Sequence, residues 1–217
     1  MQIERGVLKR LFDFVFAVIG IALTLPVMVV IAAIILMEDG LPIFYRGVRV
    51  GRYGKVFRIY KFRTMVRNAE NLGGSSTAGD DSRITGVGKS LRKYKMDEMP
   101  QFINVLKGEM SFVGPRPEIS KYVDQYSEAE KRILTVRPGI TDWASIWNAD
   151  EGSLLAGAED PDRFYEEIIR PTKLKLQLKY VEERSFVTDI KIIFLTLLVV
   201  IQPESKALRQ WKGSGTT

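Results

Sequence analysis

Two adjacent carboxylates, Asp97 and Glu98, stand in a stretch rich in arginine. Arg92 lies five residues before Asp97, Arg116 is held between Pro115 and Pro117, and Arg137 precedes a Pro138-Gly139 turn. An acidic pair at a helix start ordinarily serves as a cap or a partner of the helix dipole. The surroundings here point elsewhere. Prolines fix φ and restrict the residue before them, so Arg116 sits on a stiffened backbone suited to aiming a guanidinium at phosphate. Rigid arginines beside carboxylates suggest a site for phosphate and a divalent metal. Lys61 and Arg63, two residues apart, would share one face of a strand and could grip one anion together; the plainer alternative is two solvated charges on an edge strand.

Composition narrows the chemistry. The 217 residues include no Cys and no His, which removes disulfides, thiol nucleophiles, Cys/His zinc sites, serine–histidine triads and every imidazole acid or base. Carboxylates, amines and hydroxyls must then carry any catalysis, and a metal would be a hard ion such as Mg²⁺ held by oxygen. Against 26 Asp+Glu stand 32 Lys+Arg, and a formal charge of +6 implies a negatively charged partner: nucleic acid, anionic lipid or a phosphorylated substrate. With 46% hydrophobic and 27% charged residues, the chain suits one modest folded domain.

The elements that must position these residues begin with an apolar run. Residues 14–37 form 24 positions without a charge, longer than the roughly 20 that a straight helix needs to cross hydrocarbon. The run exceeds the roughly 7 to 15 apolar residues of a signal peptide and ends at Met37-Glu38-Asp39 without a small-residue cleavage pattern, so it is expected to remain in the mature protein. Pro26 divides it into two halves of 12 residues, each about 18 Å long as helix, roughly half the hydrocarbon thickness. A re-entrant helix-break-helix is therefore expected over residues 1–40, broken at Thr24 and Pro26, with Thr24 taking up a freed carbonyl and Gly20 weakening the same region. Arg5, Lys9 and Arg10 precede the run and Arg46, Arg49, Arg52, Lys55 and Arg58 follow it, so both flanks read as cytoplasmic. The alternative is a single span with a proline kink.

Residues 43–50 and 56–65 read as two strands joined by a turn at residues 51–54, with Phe57, Ile59, Lys61 and Arg63 on one face. Residues 71–81 are glycine-rich and polar and read as a mobile surface loop. Ser90 suits an N-cap, Gly108 a helix end, and Pro100 a first helical position, which puts Asp97 and Glu98 just ahead of a helix over residues 100–107. From Pro171 onward, Leu174, Leu178 and Val181 interleave with Lys173, Lys175 and Lys179 as a basic amphipathic helix able to lie on an anionic membrane. Residues 190–201 are apolar but too short to span, and are expected in the core or in the interface. The fold class is thus α+β and mainly helical: a re-entrant membrane segment, a small β-hairpin and C-terminal amphipathic interfacial helices. Residues 41–201 are expected to form a cytosolic and interfacial catalytic domain, and 202–217 a polar tail outside it.

Several blocks together resemble the bacterial sugar transferases, the monotopic phosphoglycosyl transferases. They are Lys9-Arg10-x-Phe12-Asp13, the apolar run, Tyr60-Lys61-Phe62-Arg63-Thr64-Met65, Arg83-Ile84-Thr85-x-x-Gly88-x-x-Leu91-Arg92, Asp97-Glu98-x-Pro100-Gln101, Phe112-Val113-Gly114-Pro115-Arg116-Pro117-Glu118 and Arg137-Pro138-Gly139-Ile140-Thr141. The likeness extends over about residues 8–200, and this chain looks like the minimal catalytic unit of a family whose larger members carry extra N-terminal spans. The resemblance implies transfer of a sugar 1-phosphate from a UDP-sugar to polyprenyl (undecaprenyl) phosphate with release of UMP, initiating synthesis of a surface glycan at the cytoplasmic face of the bacterial inner membrane. It implies Asp97 as the nucleophile that forms an aspartyl-phosphosugar. Glu98 would organise the metal or accept a proton, Mg²⁺ would sit between the dyad and the diphosphate, and Arg92, Arg116, Lys61, Arg63, Arg137 and Glu118 would contact phosphate or nucleotide. Two motifs depart from the family pattern: Thr24 stands where Ser is usual before the membrane proline, and Asp142 and Ser145 replace the Gly and Gln of Arg-Pro-Gly-Ile-Thr-Gly-Trp-Ala-Gln.

A noncatalytic membrane-surface protein that binds anionic lipid or an assembly partner is the rival reading. A nucleic-acid binder is motivated only by the sequence pI ≈ 9.4 and is disfavoured, since no stacking platform accompanies the basic residues. The sugar and the oligomeric state are not specified by these residues, and a homodimer stays open.

Overall fold

The computed structural model describes residues 2–201, with side chains from residue 6 onward. It opens with α1 (Gln2–Asp39), the one helix among the described residues long and apolar enough to cross a membrane. The helix continues through Pro26 as one element, where the sequence predicted two halves separated by a break. Thr24 Oγ1 donates to the Gly20 carbonyl at 2.7 Å, and so does not serve the Ala22 carbonyl left free by the missing proline N–H. Tertiary packing explains the continuity. Asp13, Ala17, Gly20, Thr24, Met28, Ile31 and Ile35 follow one another at spacings of three and four, the period of one helix face. Asp13, Ala17, Met28, Ile31 and Ile35 are all buried, so the rest of the protein grips α1 on both sides of the proline. Gly20 has a packing role, since a Cβ there would come within 3.0 Å of the Phe102 ring. Phe16, Leu23, Val30 and Met37, on other faces, are exposed.

Four short strands follow: β1 (Phe44–Tyr45), β2 (Val48–Val50), β3 (Val56–Arg58) and β4 (Lys61–Phe62). The expected hairpin forms, β2 with β3 and β1 with β4, both antiparallel, turning through Tyr53 and Gly54 at positive φ. The two pairs share one register, with the Ile59 N–H donating to the Gly47 carbonyl at 3.0 Å between them, and the outer edge at residues 58–60 is covered by a side chain. There Asn104, fully buried, accepts from the Tyr60 N–H at 2.8 Å and donates to the Arg58 carbonyl at 2.9 Å, standing in for a strand partner. Beyond this point burial no longer alternates: Phe57 and Ile59 are buried, then Phe62, Arg63 and Thr64 in succession. The single face predicted for Phe57, Ile59, Lys61 and Arg63 is therefore corrected.

α2 (Gly86–Lys93) is capped by Thr85, whose hydroxyl accepts from the Gly88 N–H at 3.0 Å; the predicted cap, Ser90, lies inside the helix. A 3-10 turn, Met96–Glu98, carries the acidic pair into α3 (Gln101–Lys107), which ends at Gly108 with φ +78°, as the sequence predicted. β5 (Ser111–Val113) pairs in parallel with β6 (Gly139–Thr141), and α4 (Ser120–Val123) lies between them in the chain. Short helices α5 (Trp143–Trp147), α6 (Glu151–Leu155) and α7 (Pro161–Phe164) lead through a π-helical turn into α8 (Arg170–Glu183) and then α9 (Phe186–Ile201). The protein is mostly helical with three two-stranded sheets, an α+β arrangement.

Two further expectations change. α8 turns Leu174, Leu176, Gln177 and Tyr180 into the core and Lys173 pairs with Glu118, so its apolar face packs against the domain, while Lys175 and Lys179 stay exposed. The loop at residues 71–81 is irregular but pinned: the Ser75 and Ser76 N–H groups donate to Asp162, Gly79 N–H donates to the Gly152 carbonyl at 2.8 Å, and Ala78 is buried. α9 exposes Phe186, Ile190, Phe194, Leu197 and Ile201 along one face while burying Asp189 and Ile192. The 202–217 tail lies outside the described residues.

Candidate functional site

The acidic pair sits on the 3-10 turn between α2 and α3, entered through Lys95 at φ +55°. Glu98 is fully engaged. Lys61 Nζ lies 2.7 Å from its Oε1, Arg116 Nη1 donates to Oε2 at 3.1 Å, and Arg116 Nη2 also contacts Oε1. Burial works to raise the Glu98 carboxyl, but the Arg116 and Lys61 charges outweigh it and hold the group well below the usual range. A carboxylate so strongly ionised is a poor proton acceptor. It serves instead to fix two cations beside Asp97.

Asp97 is 7% exposed and differs from its neighbour: among the described residues its carboxylate accepts no hydrogen bond, and its nearest cation is Lys61, 3.9 Å from Oδ2. Burial raises its pKa, opposed by Lys61 and, at longer range, by Arg92 and Arg116, while Glu98 reinforces the rise. The outcome is a carboxyl group with unused lone pairs in a low-dielectric setting edged by cations, which suits a nucleophile. Arg92 donates through Nε to Thr64 Oγ1 at 2.9 Å and contributes its charge to the same neighbourhood.

Arg116 is aimed by more than its flanking prolines. Its own N–H donates to Asp142 Oδ2 at 3.1 Å, its Nη1 reaches the Ile140 carbonyl at 3.3 Å, and its carbonyl accepts from Gln177. Asp142 is fully buried and caps α5, accepting from the Ser145 N–H and hydroxyl at 2.7 Å each. Asp142 and Ser145, which together depart from the family pattern, thus form one cap that steadies Arg116. Asp-x-x-Ser ahead of a helix was the sequence signal for it. Thr64 and Asn104 were not singled out from the sequence, and Asp142 only as a departure from the family pattern, although all three shape the site.

Three of the expected residues are elsewhere. Arg63 Nη2 donates to the Asp39 and Gly40 carbonyls at 3.0 and 2.8 Å and pairs with the Asp39 carboxylate at 2.8 Å, so it closes the end of α1 and does not share an anion with Lys61. Arg137 Nε donates to the Gly108 carbonyl at 2.9 Å, at the end of α3 opposite the dyad. Glu118 is buried with Lys173 at 2.5 Å and the Tyr165 hydroxyl at 2.8 Å.

The donor set also bears on Mg²⁺. No cluster of three or more acidic side chains among the described residues could hold a metal, and both Glu98 oxygens are taken by cations. Mg²⁺ is commonly held by one or two carboxylates together with substrate phosphates. The open oxygens of Asp97 fit that arrangement; the Asp97–Glu98 pair acting together as ligands does not.

Comparison with known proteins identifies the family. The profile described as "Bacterial sugar transferase" matches residues 4–203. The chain is 37% identical over 198 residues to the "Uncharacterized sugar transferase EpsL" of Bacillus subtilis (strain 168), covering 91% of this chain and 89% of that one. It is 37% identical over 199 residues to the "UDP-N-acetylgalactosamine-undecaprenyl-phosphate N-acetylgalactosaminephosphotransferase" of Aeromonas hydrophila, covering 89% of this chain and 44% of the relative. It is 35% identical over 195 residues to the "UDP-glucose:undecaprenyl-phosphate glucose-1-phosphate transferase" of Escherichia coli (strain K12), covering 88% of this chain and 39% of the relative. The chain therefore spans nearly all of one of these proteins and less than half the length of the other two. With the profile matched from the first turns of α1 to the end of α9, this chain belongs to the bacterial sugar transferase family.

Proposed function

We propose that this protein transfers a sugar 1-phosphate from a UDP-sugar to polyprenyl phosphate, releasing UMP, as the first membrane step of surface-glycan synthesis. The observation that carries this reading is the contrast within the dyad: Glu98 is locked by Lys61 and Arg116, while Asp97 keeps its lone pairs free. An Asp97 oxygen attacks the phosphorus that bears the sugar, the bond from that phosphorus to the UMP oxygen breaks, and UMP leaves with the electron pair. An oxygen of polyprenyl phosphate then attacks the aspartyl-phosphosugar, expelling the carboxylate and forming a polyprenyl diphosphate sugar. Lys61 and Arg116, steadied on Glu98, with Arg92 nearby, stabilise phosphoryl oxygens as charge moves to the leaving group. Mg²⁺ held between Asp97 and the substrate diphosphate would lower the repulsion between an anionic nucleophile and an anionic donor.

The same reading has both flanks of α1 on the cytoplasmic face of the bacterial inner membrane, with the helix entering one leaflet and bending at Pro26. Contacts at both ends support it. Near the start, Lys9 pairs with Asp189 at 2.5 Å and Asp13 accepts from Ser111 Oγ and the Phe112 N–H; at the end, Glu38 accepts from the Val87 N–H and Asp39 meets Arg63. A helix crossing the bilayer would carry one of these polar sets to the far side. The exposed apolar face of α9 joins the same surface, Phe186 meeting Phe12 edge-on at 5.5 Å.

Detergent-solubilised full chain given Mg²⁺, polyprenyl phosphate and a panel of UDP-sugars is expected to release UMP with one of them. Protein quenched during turnover should carry the phosphosugar mass on the peptide containing Asp97. Turnover with the mass on another peptide removes Asp97 from its role. Because the chain lacks cysteine, single cysteines introduced at Gln2 and Lys55 report topology, and both should be shielded from an impermeant reagent outside intact cells.

A further inference from the structure

Cations gather around one tyrosine on the side of the hairpin that faces α1. Arg46 lies flat over the Tyr60 ring, its Cζ 3.6 Å from the ring centre, and Lys107 approaches the same ring at 5.0 Å with its Nζ 3.3 Å from the hydroxyl. Arg58 joins them by donating to the Arg46 carbonyl at 3.2 Å. Among the described residues none of the three forms an ion pair, and the Arg46 guanidinium donates no hydrogen bond; its Nε is shielded from solvent with no partner. The nearby acid, Glu109, is occupied by the Asn104 side chain at 2.7 Å. Three positive side chains drawn together without an internal counter-charge are stabilised by an anion from outside.

Location says which anion. Tyr60 meets Phe44 edge-on at 6.3 Å, and Phe44 packs in the cluster to which α1 contributes Met28, Ile31 and Ile35. Lys107 lies in the last turn of α3, next to the Val105 and Leu106 carbonyls that Arg10 holds at 2.6 and 2.8 Å. Arg10 stands four residues before the apolar run. The group therefore sits where charged flank gives way to apolar helix, with an aromatic ring below and unpaired cations above, the usual composition of a protein surface at headgroup depth.

We propose that Arg46 and Lys107, assembled on Tyr60, with Arg58 held on the Arg46 backbone, form a docking patch for the phosphates of anionic phospholipids, separate from the Asp97 transfer site. The patch takes the role that the sequence assigned to the lysines of α8. Lys107 and Arg58 are exposed, and the three charges are not drawn to a single point, two lying at the ring and one on the Arg46 backbone, so the patch reads charge density rather than the shape of one ligand. This inference rests on the membrane placement of α1 proposed above.

The test uses full-length protein in nanodiscs of equal phosphatidylglycerol and phosphatidylcholine. After transfer to detergent, the ratio of the two lipids that stay bound is measured. Wild type is expected to retain phosphatidylglycerol preferentially, with the preference falling as salt rises. Arg46→Gln with Lys107→Gln should lower the preference about fivefold per charge removed, while Arg46→Lys with Lys107→Arg keeps it. UMP release in pure phosphatidylcholine should be alike in all three, which separates loss of the patch from loss of the fold. Equal lipid ratios in wild type and the neutral variant overturn the proposal, as does loss of preference in the charge-preserving variant. Displacement of the bound phosphatidylglycerol by one equivalent of polyprenyl phosphate overturns it in favour of an acceptor site. Absence of any retained lipid would sink the membrane reading itself.

Discussion

Two buried acidic clusters in this protein treat their carboxylates in opposite ways. Around Glu118, Lys173 and Tyr165 close a triangle, with Lys173 Nζ 2.5 Å from the carboxylate and 2.8 Å from the Tyr165 oxygen, and Tyr165 also bonded to the carboxylate. Burial would raise Glu118, but Lys173 and the Tyr165 hydroxyl pull it below its ordinary value. Glu98 is saturated in the same manner by Lys61 and Arg116. Asp97, one residue before it, is left without hydrogen-bonding partners and moves the other way. Saturation makes a carboxylate a structural anchor, whereas withholding partners leaves lone pairs for a phosphorus or a metal.

Substitutions can sharpen or break this contrast. Asp97→Asn should lower UMP release on the order of 10³-fold or more with the fold intact, because the amide cannot act as the nucleophile; normal turnover would end the distinction. Lys173→Met should instead act on stability, costing about 3 kcal/mol by leaving the Glu118 charge buried with one hydroxyl partner, and adding Glu118→Gln should recover much of it. Thermal unfolding reads both variants, and a loss of activity per folded molecule resembling that of Asp97→Asn would merge the two clusters into one site.

Arg116→Lys keeps the charge but loses the paired donors to Glu98, and a fall in kcat of about 10- to 100-fold is expected from steady-state UMP release. The pH dependence separates the members of the dyad. Attack requires ionised Asp97, and burial raises its pKa, so the acid limb of kcat/KM should lie above the ordinary aspartate value of 3.8. Lys61 opposes that rise, so Lys61→Met should move the limb to higher pH. A limb that stays in place would mean that Lys61 does not act on Asp97. Smallest is Asp142→Gly, which restores the family's residue and removes the α5 cap, at a cost of about 1 kcal/mol in thermal stability.

Much of the site was legible in the residues. The dyad ahead of a helix ending at Gly108, the hairpin after the apolar run and the proline-framed Arg116 all appear as predicted. The stripe through Asp13, Ala17, Gly20, Thr24, Met28, Ile31 and Ile35 was equally present in the spacing, but a run of uniformly apolar residues hides which face is small or polar enough to pack. The partners of Arg63 and Glu118 were not legible, because a motif records which residues occur together and not which way each side chain points.

Residue types alone decided that this chain has a membrane-scale apolar helix, that its chemistry excludes imidazole and thiol, and that an Asp-Glu pair lies beside arginines; these follow from composition and local spacing. Only the tertiary structure decided that Lys61 joins Glu98 while Arg63 closes α1. The reason is physical. The hairpin keeps one register throughout, but burial stops alternating where the Asn104 side chain, 44 residues away in sequence, takes the Tyr60 N–H and the Arg58 carbonyl. A period-two pattern cannot encode a partner supplied from another helix, so which cation meets the acidic pair and which closes α1 was decided by non-local contacts.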